Sequence, residues 1–144
     1  MLIDQIDREI LSLVQKNSRI TQREMGKEVG LSANAAGARL QRLIDSGAIK
    51  RFVAELDHAL LGRPMEASID VWLNENRDDA ALLELVRTDD RVVECFHLTG
   101  PLDYRIRARV ASSEDLNDLL NTMRQEGGVR QTDSRLILEQ APTN

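Results

Sequence analysis

The amino-acid sequence predicts an α+β fold: three short helices, followed by strands and helices in the order β-α-β-β-α-β. Three observations carry that expectation. Apolar residues recur at helical spacing in three successive segments before Gly47. From Ala67 onward, stretches with a period of two alternate with helical ones. Between the two regimes, "LGRP" at Leu61–Pro64 brings together the residue types that most strongly interrupt regular structure.

The first helix is expected over "IDQIDREILSLVQKN", where Ile3, Ile6, Ile10, Leu13 and Val14 share a face. Asp4 is placed as its N-cap, Asp7 complements the positive end of the first turn, and Asn17-Ser18 breaks the pattern. "TQREMGKEV" opens with Thr21 and Glu24 at capping-box spacing and ends at Gly30. The third helix starts after Ser32, with Leu31 in the staple position, and runs to about Ser46, where Gly47 stops it. So short a turn between the second and third helices is the sequence shape of a helix-turn-helix.

"AIKRFVAEL" reads as an extended connector, so the expected boundaries are 1–50 for the helical domain, 51–63 for a linker and 64–144 for the second domain. In the latter, "EASIDVWLN" puts Ala67, Ile69, Val71 and Leu73 on one strand face, with Ser68, Asp70 and Trp72 on the other. "RDDAALLELVRT" is expected to be a helix buried through Ala81, Leu82, Leu85 and Val86. "RVVECFHL" and "LDYRIRARV" are strands around a "TGP" turn. "SSEDLNDLLNTMRQEGG" is a helix capped by Ser112 or Ser113 and stopped by Gly127, and "VRQTDSRLIL" is the closing strand. This order is the ferredoxin-like arrangement, with both helices on one face of an antiparallel sheet and the other face left polar or partnered.

Composition narrows the function. With 42% hydrophobic and 30% charged residues the chain is globular rather than disordered. No apolar run approaches the roughly 18 to 20 residues that span a bilayer. Acids stand at the N-terminus where an export signal carries basic residues, so the expected location is cytoplasmic with no membrane partner. Cys95, the single cysteine, excludes an internal disulfide and a Cys-pair metal site, and reads as a small core residue rather than a nucleophile. His58 and His97 are too isolated for a metal site, no phosphate loop or catalytic triad appears, and no cofactor is expected. Charge is uneven. Residues 1–51 hold nine Lys/Arg against six Asp/Glu, a net of +3, while 52–144 hold ten against eighteen, a net of −8. The first third therefore suits a polyanion.

On a wheel centred on Leu40, the third helix buries Ala36, Leu43 and Ile44. Asn34, Ala35, Ala38, Gln41, Arg42 and Asp45 lie opposite, with Arg39 on the flank. In a major groove Asn34 and Gln41 suit adenine edges, and Ala35 and Ala38 suit thymine methyls. Arg39 and Arg42 are placed for phosphates, helped by Lys50 and Arg51, and Ser32 starts the DNA-facing turn. The blander reading is a solvated helix in a three-helix packing module.

"IDREILSLVQKNSRITQREMGKEVGLSANAAGARLQRLIDSGAIKRFVAELD" resembles the DNA-binding domain of the Lrp/AsnC (feast/famine) regulators. "VVECFHLTGPLDYRIRARV" with "GGVRQTDSRLIL" resembles their ligand-sensing domain, so the likeness runs from about Ile3 to Leu138. It implies a transcription factor on double-stranded DNA that senses an amino acid or related metabolite, dimerises through its sensing domains and often assembles dimers into octamers. The family usually has Leu-Ala where this chain has Met25-Gly26, and larger residues where it has Ala36-Gly37-Ala38. Each glycine costs about 1 kcal/mol relative to alanine inside a helix. Either close helix packing or close approach to DNA explains them.

By the same resemblance the turn from Thr99 through Gly100, Pro101, Leu102 and Asp103 to Tyr104 helps line an effector pocket between dimers, together with residues of the last strand. Backbone N–H groups near Gly100 and Leu102 suit a carboxylate, Asp103 suits an ammonium, and Thr132 and Ser134 share a strand face as hydroxyl donors. The residues alone equally allow a plain tight turn capped by Asp103. Arg105, Arg107 and Arg109 share a face and are expected to pair with Asp70, Glu94 or Asp133. Trp72 is expected in a dimer interface. Two alternatives stand beside the regulator: an enzyme resembling siroheme decarboxylases, with His58 or His97 as acid-base group, and a ligand-binding module without DNA activity.

Overall fold

The computed structural model describes residues 2–76 and 78–141. The chain forms two compact units, Met1–Glu55 and Leu56–Asn144.

In the first unit each helix begins at the residue its sequence marks. Helix α1 (Gln5–Lys16) has Asp4 as N-cap, and the box is reciprocal: the Asp7 N–H donates to Asp4 Oδ1 at 2.8 Å, and the Asp4 N–H donates to Asp7 Oδ2 at 3.2 Å. Helix α2 (Gln22–Val29) repeats the device with Thr21 and Glu24, then ends at Gly30, whose φ of 70° only glycine adopts at no steric cost. Helix α3 (Ala33–Asp45) starts from Ser32, whose Oγ accepts the Ala35 N–H at 3.1 Å. The apolar stripes meet in a core of Ile10, Val14, Met25, Ala36 and Leu43, with Leu40 and Ile49 packed against it. Burying such side chains is worth about 1.5–3 kcal/mol each for the larger ones. Residues 50–57 continue without helix or strand.

The second unit is β1 (Met65–Leu73), α4 (Ala80–Thr88), β2 (Val92–His97), β3 (Tyr104–Val110), α5 (Ser113–Gln125) and β4 (Val129–Ile137). The strands form one antiparallel sheet in the order β2-β3-β1-β4, the ferredoxin-like arrangement. Ala67, Ile69, Val71 and Leu73 of β1 and Tyr104, Ile106, Ala108 and Val110 of β3 fill the helix-covered face, under Leu82, Leu85, Leu119 and Met123. Cys95 packs against that cluster, and burial pushes its thiol up, away from nucleophile character. Ala81, expected in the buried stripe of α4, is exposed.

The other sheet face is an ionic grid. Asp70, 4% exposed, takes Arg105 Nε at 2.6 Å and Arg135 Nη1 at 3.1 Å. Glu66, 8% exposed, takes Arg107 Nε at 2.9 Å and Arg109 Nη2 at 2.6 Å, and Arg107 also reaches Glu94. The expected pairings with Asp70 and Glu94 are therefore present, Glu66 joins them, and Asp133 pairs with Arg135 instead.

Candidate nucleic-acid interface and ligand cleft

On α3 the outward side is sparse. Asn34, Ala38, Gln41, Arg42 and Asp45 are exposed, and Ala35 is half-buried. Gln41 Nε2 donates to Asp45 Oδ1 at 2.8 Å, one turn along the same helix. Lys50 and Arg51 are exposed, and among the described residues no ion pair engages either.

Arg39 and Arg42 depart from the expectation of free phosphate contacts. Arg39 Nη1 bridges Asp4 Oδ2 at 2.7 Å and Asp7 Oδ1 at 2.9 Å. Arg42 Nη2 lies 2.9 Å from Asp7 Oδ1 and 2.7 Å from Asp7 Oδ2. The side chain of Asp7 is wholly buried, while Arg39 and Arg42 are 27% and 49% exposed. Burial alone would raise the Asp7 carboxyl, but hydrogen bonds from Arg39, the Asp4 N–H and Arg42 hold it below the ordinary carboxylate range. The wheel places the two arginines on the correct sides of α3, but their partners stand at the start of α1.

Both glycines in question face protein. A Cβ on Gly26 would lie 2.7 Å from the Leu31 carbonyl oxygen, where the turn into α3 crosses α2. A Cβ on Gly37 would meet the end of the Gln22 side chain at 2.5 Å.

The turn after β2 closes against the end of β1. Asp103 N–H donates to the Val71 carbonyl at 3.0 Å, and Asp103 Oδ2 accepts the Leu73 N–H at 2.8 Å. Trp72 Nε1–H donates to the Pro101 carbonyl at 2.7 Å. A cleft of about 630 Å³ opens beside this turn. Gly100, Pro101, Leu102 and Asp103 line it. Thr99, the first residue of the expected turn, lines it too, and Trp72, Asn74, Glu75, His97 and Arg130 join without having been expected there. Arg130 arrives there because the register between β1 and β4 shifts at Trp72/Leu73, leaving it between the partners Gln131 and Val129.

Three expected cleft residues do not line it in the single chain. Tyr104 pairs with Val71 and turns to the helix-covered side, where its hydroxyl donates to Asp79 Oδ2 at 2.5 Å and its ring stacks on His97 at 4.6 Å. The hydrogen bond to Asp79, with burial, pushes the phenol up to about 12. Thr132 and Ser134 face the same side as their partners Val71 and Ile69, and Thr132 Oγ1 accepts from Arg124 Nη2 at 2.8 Å. His58 lies in a turn near the start of the second unit. Among the described residues no group of three His, Cys, Asp or Glu is arranged to hold a metal ion, and no helix is long and apolar enough to cross a membrane.

A family model for winged helix-turn-helix DNA-binding matches residues 3–50, and one for the Lrp/AsnC ligand binding domain matches 66–143. The HTH-type transcriptional regulator FL11 of Pyrococcus furiosus is 30% identical over 96% of this chain and 91% of its own. LrpB of Bacillus subtilis is 32% identical over 88% and 85%. Among solved structures, the Neisseria meningitidis regulator NMB0573 in complex with L-Met superposes with a TM-score of 0.92 at 28% identity, covering 99% of this chain and 94% of that one. LrpC of B. subtilis gives 0.91 at 26% identity, with both chains covered in full. The curated relatives are transcriptional regulators rather than enzymes, which sets aside the decarboxylase alternative. With one family model spanning more than half of the chain and these regulators matched over most of both lengths, the chain belongs to the Lrp/AsnC family: it is a DNA-binding transcriptional regulator carrying a ligand-binding domain.

Proposed function

We propose that the protein reads double-stranded DNA through α3 and adjusts that binding to an amino acid or closely related metabolite held in the cleft beside Gly100–Asp103. The observation that carries the reading is the outward side of α3, where a capped helix presents Asn34, Ala38 and Gln41 beside Ala35, while the larger Arg42 on the same side is drawn back onto Asp7. Such a surface lets backbone approach a groove floor closely, with two amides for adenine edges and methyl-sized contacts for thymine. Ser32 at the start of the helix, and Lys50 and Arg51 in the segment after it, supply phosphate contacts. With so few base-reading side chains, DNA shape and bending contribute much of the specificity.

The cleft suits a zwitterion. Arg130 provides a cation and Glu75 an anion along its lining. Among the described residues the N–H groups of Gly100 and Leu102 make no hydrogen bond, so they remain available to a carboxylate. The L-Met complex of the Neisseria relative supports this ligand class. Tyr104, Thr132 and Ser134 then act behind the cleft or toward a neighbouring copy rather than on the ligand within one chain. The protein works as dimers joined through the sensing domains, with Trp72 at the interface, and the dimers assemble further into octamers.

Thermal-shift titration of the full chain with each amino acid tests the reading, because a ligand that binds only the folded state raises the transition. At least one amino acid is expected to raise it, and Arg130→Ala to abolish the shift while the unliganded transition stays in place. Absence of a shift with every amino acid removes this ligand class.

A further inference from the structure

Asp7 accepts four hydrogen bonds: one from Arg39 Nη1, two from Arg42 Nη2 and one from the Asp4 N–H. That number matches the lone-pair sites of a carboxylate, so the group is saturated. The geometry is that of an anion gripped by two guanidiniums, the way arginines grip a phosphate. Yet Arg42 is half exposed on the outward side of α3, and Arg39 flanks it. Two of the cations in the positively charged unit are thus spent on acids of the same unit.

We infer that Asp7, assisted by Asp4, is an internal phosphate stand-in that holds Arg39 and Arg42 away from DNA, orienting α3 against α1 and limiting sequence-independent affinity. This rests on the reading of α3 as the DNA-facing helix. Each phosphate a protein neutralises steepens the dependence of log K on log salt by about 0.9 for duplex DNA. A clamp that withholds two arginines therefore keeps the slope shallow, and leaves discrimination to Asn34, Gln41 and the shape of the site. A merely structural ion pair makes no such claim about salt.

The test uses the full chain and a random-sequence duplex about three helical turns long, titrated from low to high salt. Asp7→Asn keeps an oxygen for the Asp4 N–H but removes the charge that holds Arg42 and leaves Arg39 with Asp4 alone. Its slope is expected to steepen by about one to two per protomer, which at about 0.1 M salt corresponds to roughly eightfold tighter binding for each added contact. Asp4→Asn is the second variant, since asparagine caps a helix as well as aspartate. It loosens only Arg39, so a smaller steepening is expected, and it decides the matter if Asp7→Asn fails to fold. Folded variants that keep the wild-type slope, or bind more weakly at that slope, overturn the inference and leave the pair a packing device. If the wild type itself is not retained on the duplex at low salt, the DNA-facing reading of α3 falls first and the clamp with it.

Discussion

Gly26 and Gly37 each omit a side chain inside a helix, and their neighbours differ in kind. At Gly26 the obstacle is backbone, the Leu31 carbonyl at 2.7 Å, which moves only with the turn. Gly26→Ala is expected to lose about 1–2 kcal/mol in chemical denaturation, the clash outweighing a helix-propensity gain of about 1 kcal/mol. At Gly37 the obstacle is the tip of an exposed glutamine, which can swing into water. Gly37→Ala is expected to gain up to about 1 kcal/mol. The sequence marks both glycines as anomalies, but the sign of each substitution depends on neighbours that helical spacing does not reveal. Arg39 and Arg42 make the same point: the wheel assigns their sides, whereas the partner Asp7 is more than thirty residues away. The Asp7 carboxyl is held below its unfolded value of about 3.9, so its contribution is present above that pH and is lost as pH falls through the folded value. Acid unfolding of the first unit should accordingly shift upward in pH in Arg39→Ala. Tyr104, the one tyrosine, is raised above its unfolded value of about 10, so its contribution is complete below that pH and fades as pH rises through about 12. Tyrosinate absorbance should appear only near there in the folded protein, and Tyr104→Phe should cost about 1–2 kcal/mol.

Element boundaries were the most legible part of the chain, because caps are local chemistry. Asp4, Thr21, Ser32 and Ser112 each begin a helix as their side chains suggest. The exception is instructive. Asp79 precedes α4 but makes no side-chain cap, and its carboxylate accepts the Tyr104 hydroxyl instead. The buried stripe of α4 consists of Leu82 and Leu85, with Ala81 outside it. On the strands, period-two alternation identifies the two faces of β1 and β3, but the cleft needs register. Thr132 and Ser134 are correctly read as sharing a face, and only the pairing with Val71 and Ile69 shows which face it is. Arg130 escapes notice for the same reason, since a register shift has no sequence signature beyond the preceding glycine pair. Between elements, Arg91 joins the end of α4 to the start of α5, contacting Asp89 at 2.6 Å, Asp115 at 2.9 Å and Asp118 at 2.8 Å while only 14% exposed. Arg91→Ala is expected to lower the stability of the second unit by about 2 kcal/mol, read by denaturant titration of Trp72 fluorescence.

At the scale of the whole molecule, the division of charge follows the division of labour. The unit that carries α3 is net positive, and the unit that carries the cleft is net negative, so a chain acidic on average still presents one surface suited to DNA. Fold and family were both legible because each module repeats local signals over nearly its full length. Which arginines are free and which residues complete the cleft were not, because those depend on contacts between elements distant in sequence. The two modules together make a DNA-binding protein whose binding a small metabolite alters. The direct measurement is gel retardation of DNA flanking its own coding region by the full chain, at rising salt, with and without each amino acid. Retention at low salt that weakens as salt rises, and that at least one amino acid shifts, is the predicted result. No retention of any flanking fragment at low salt, or retention that no amino acid changes, would contradict it.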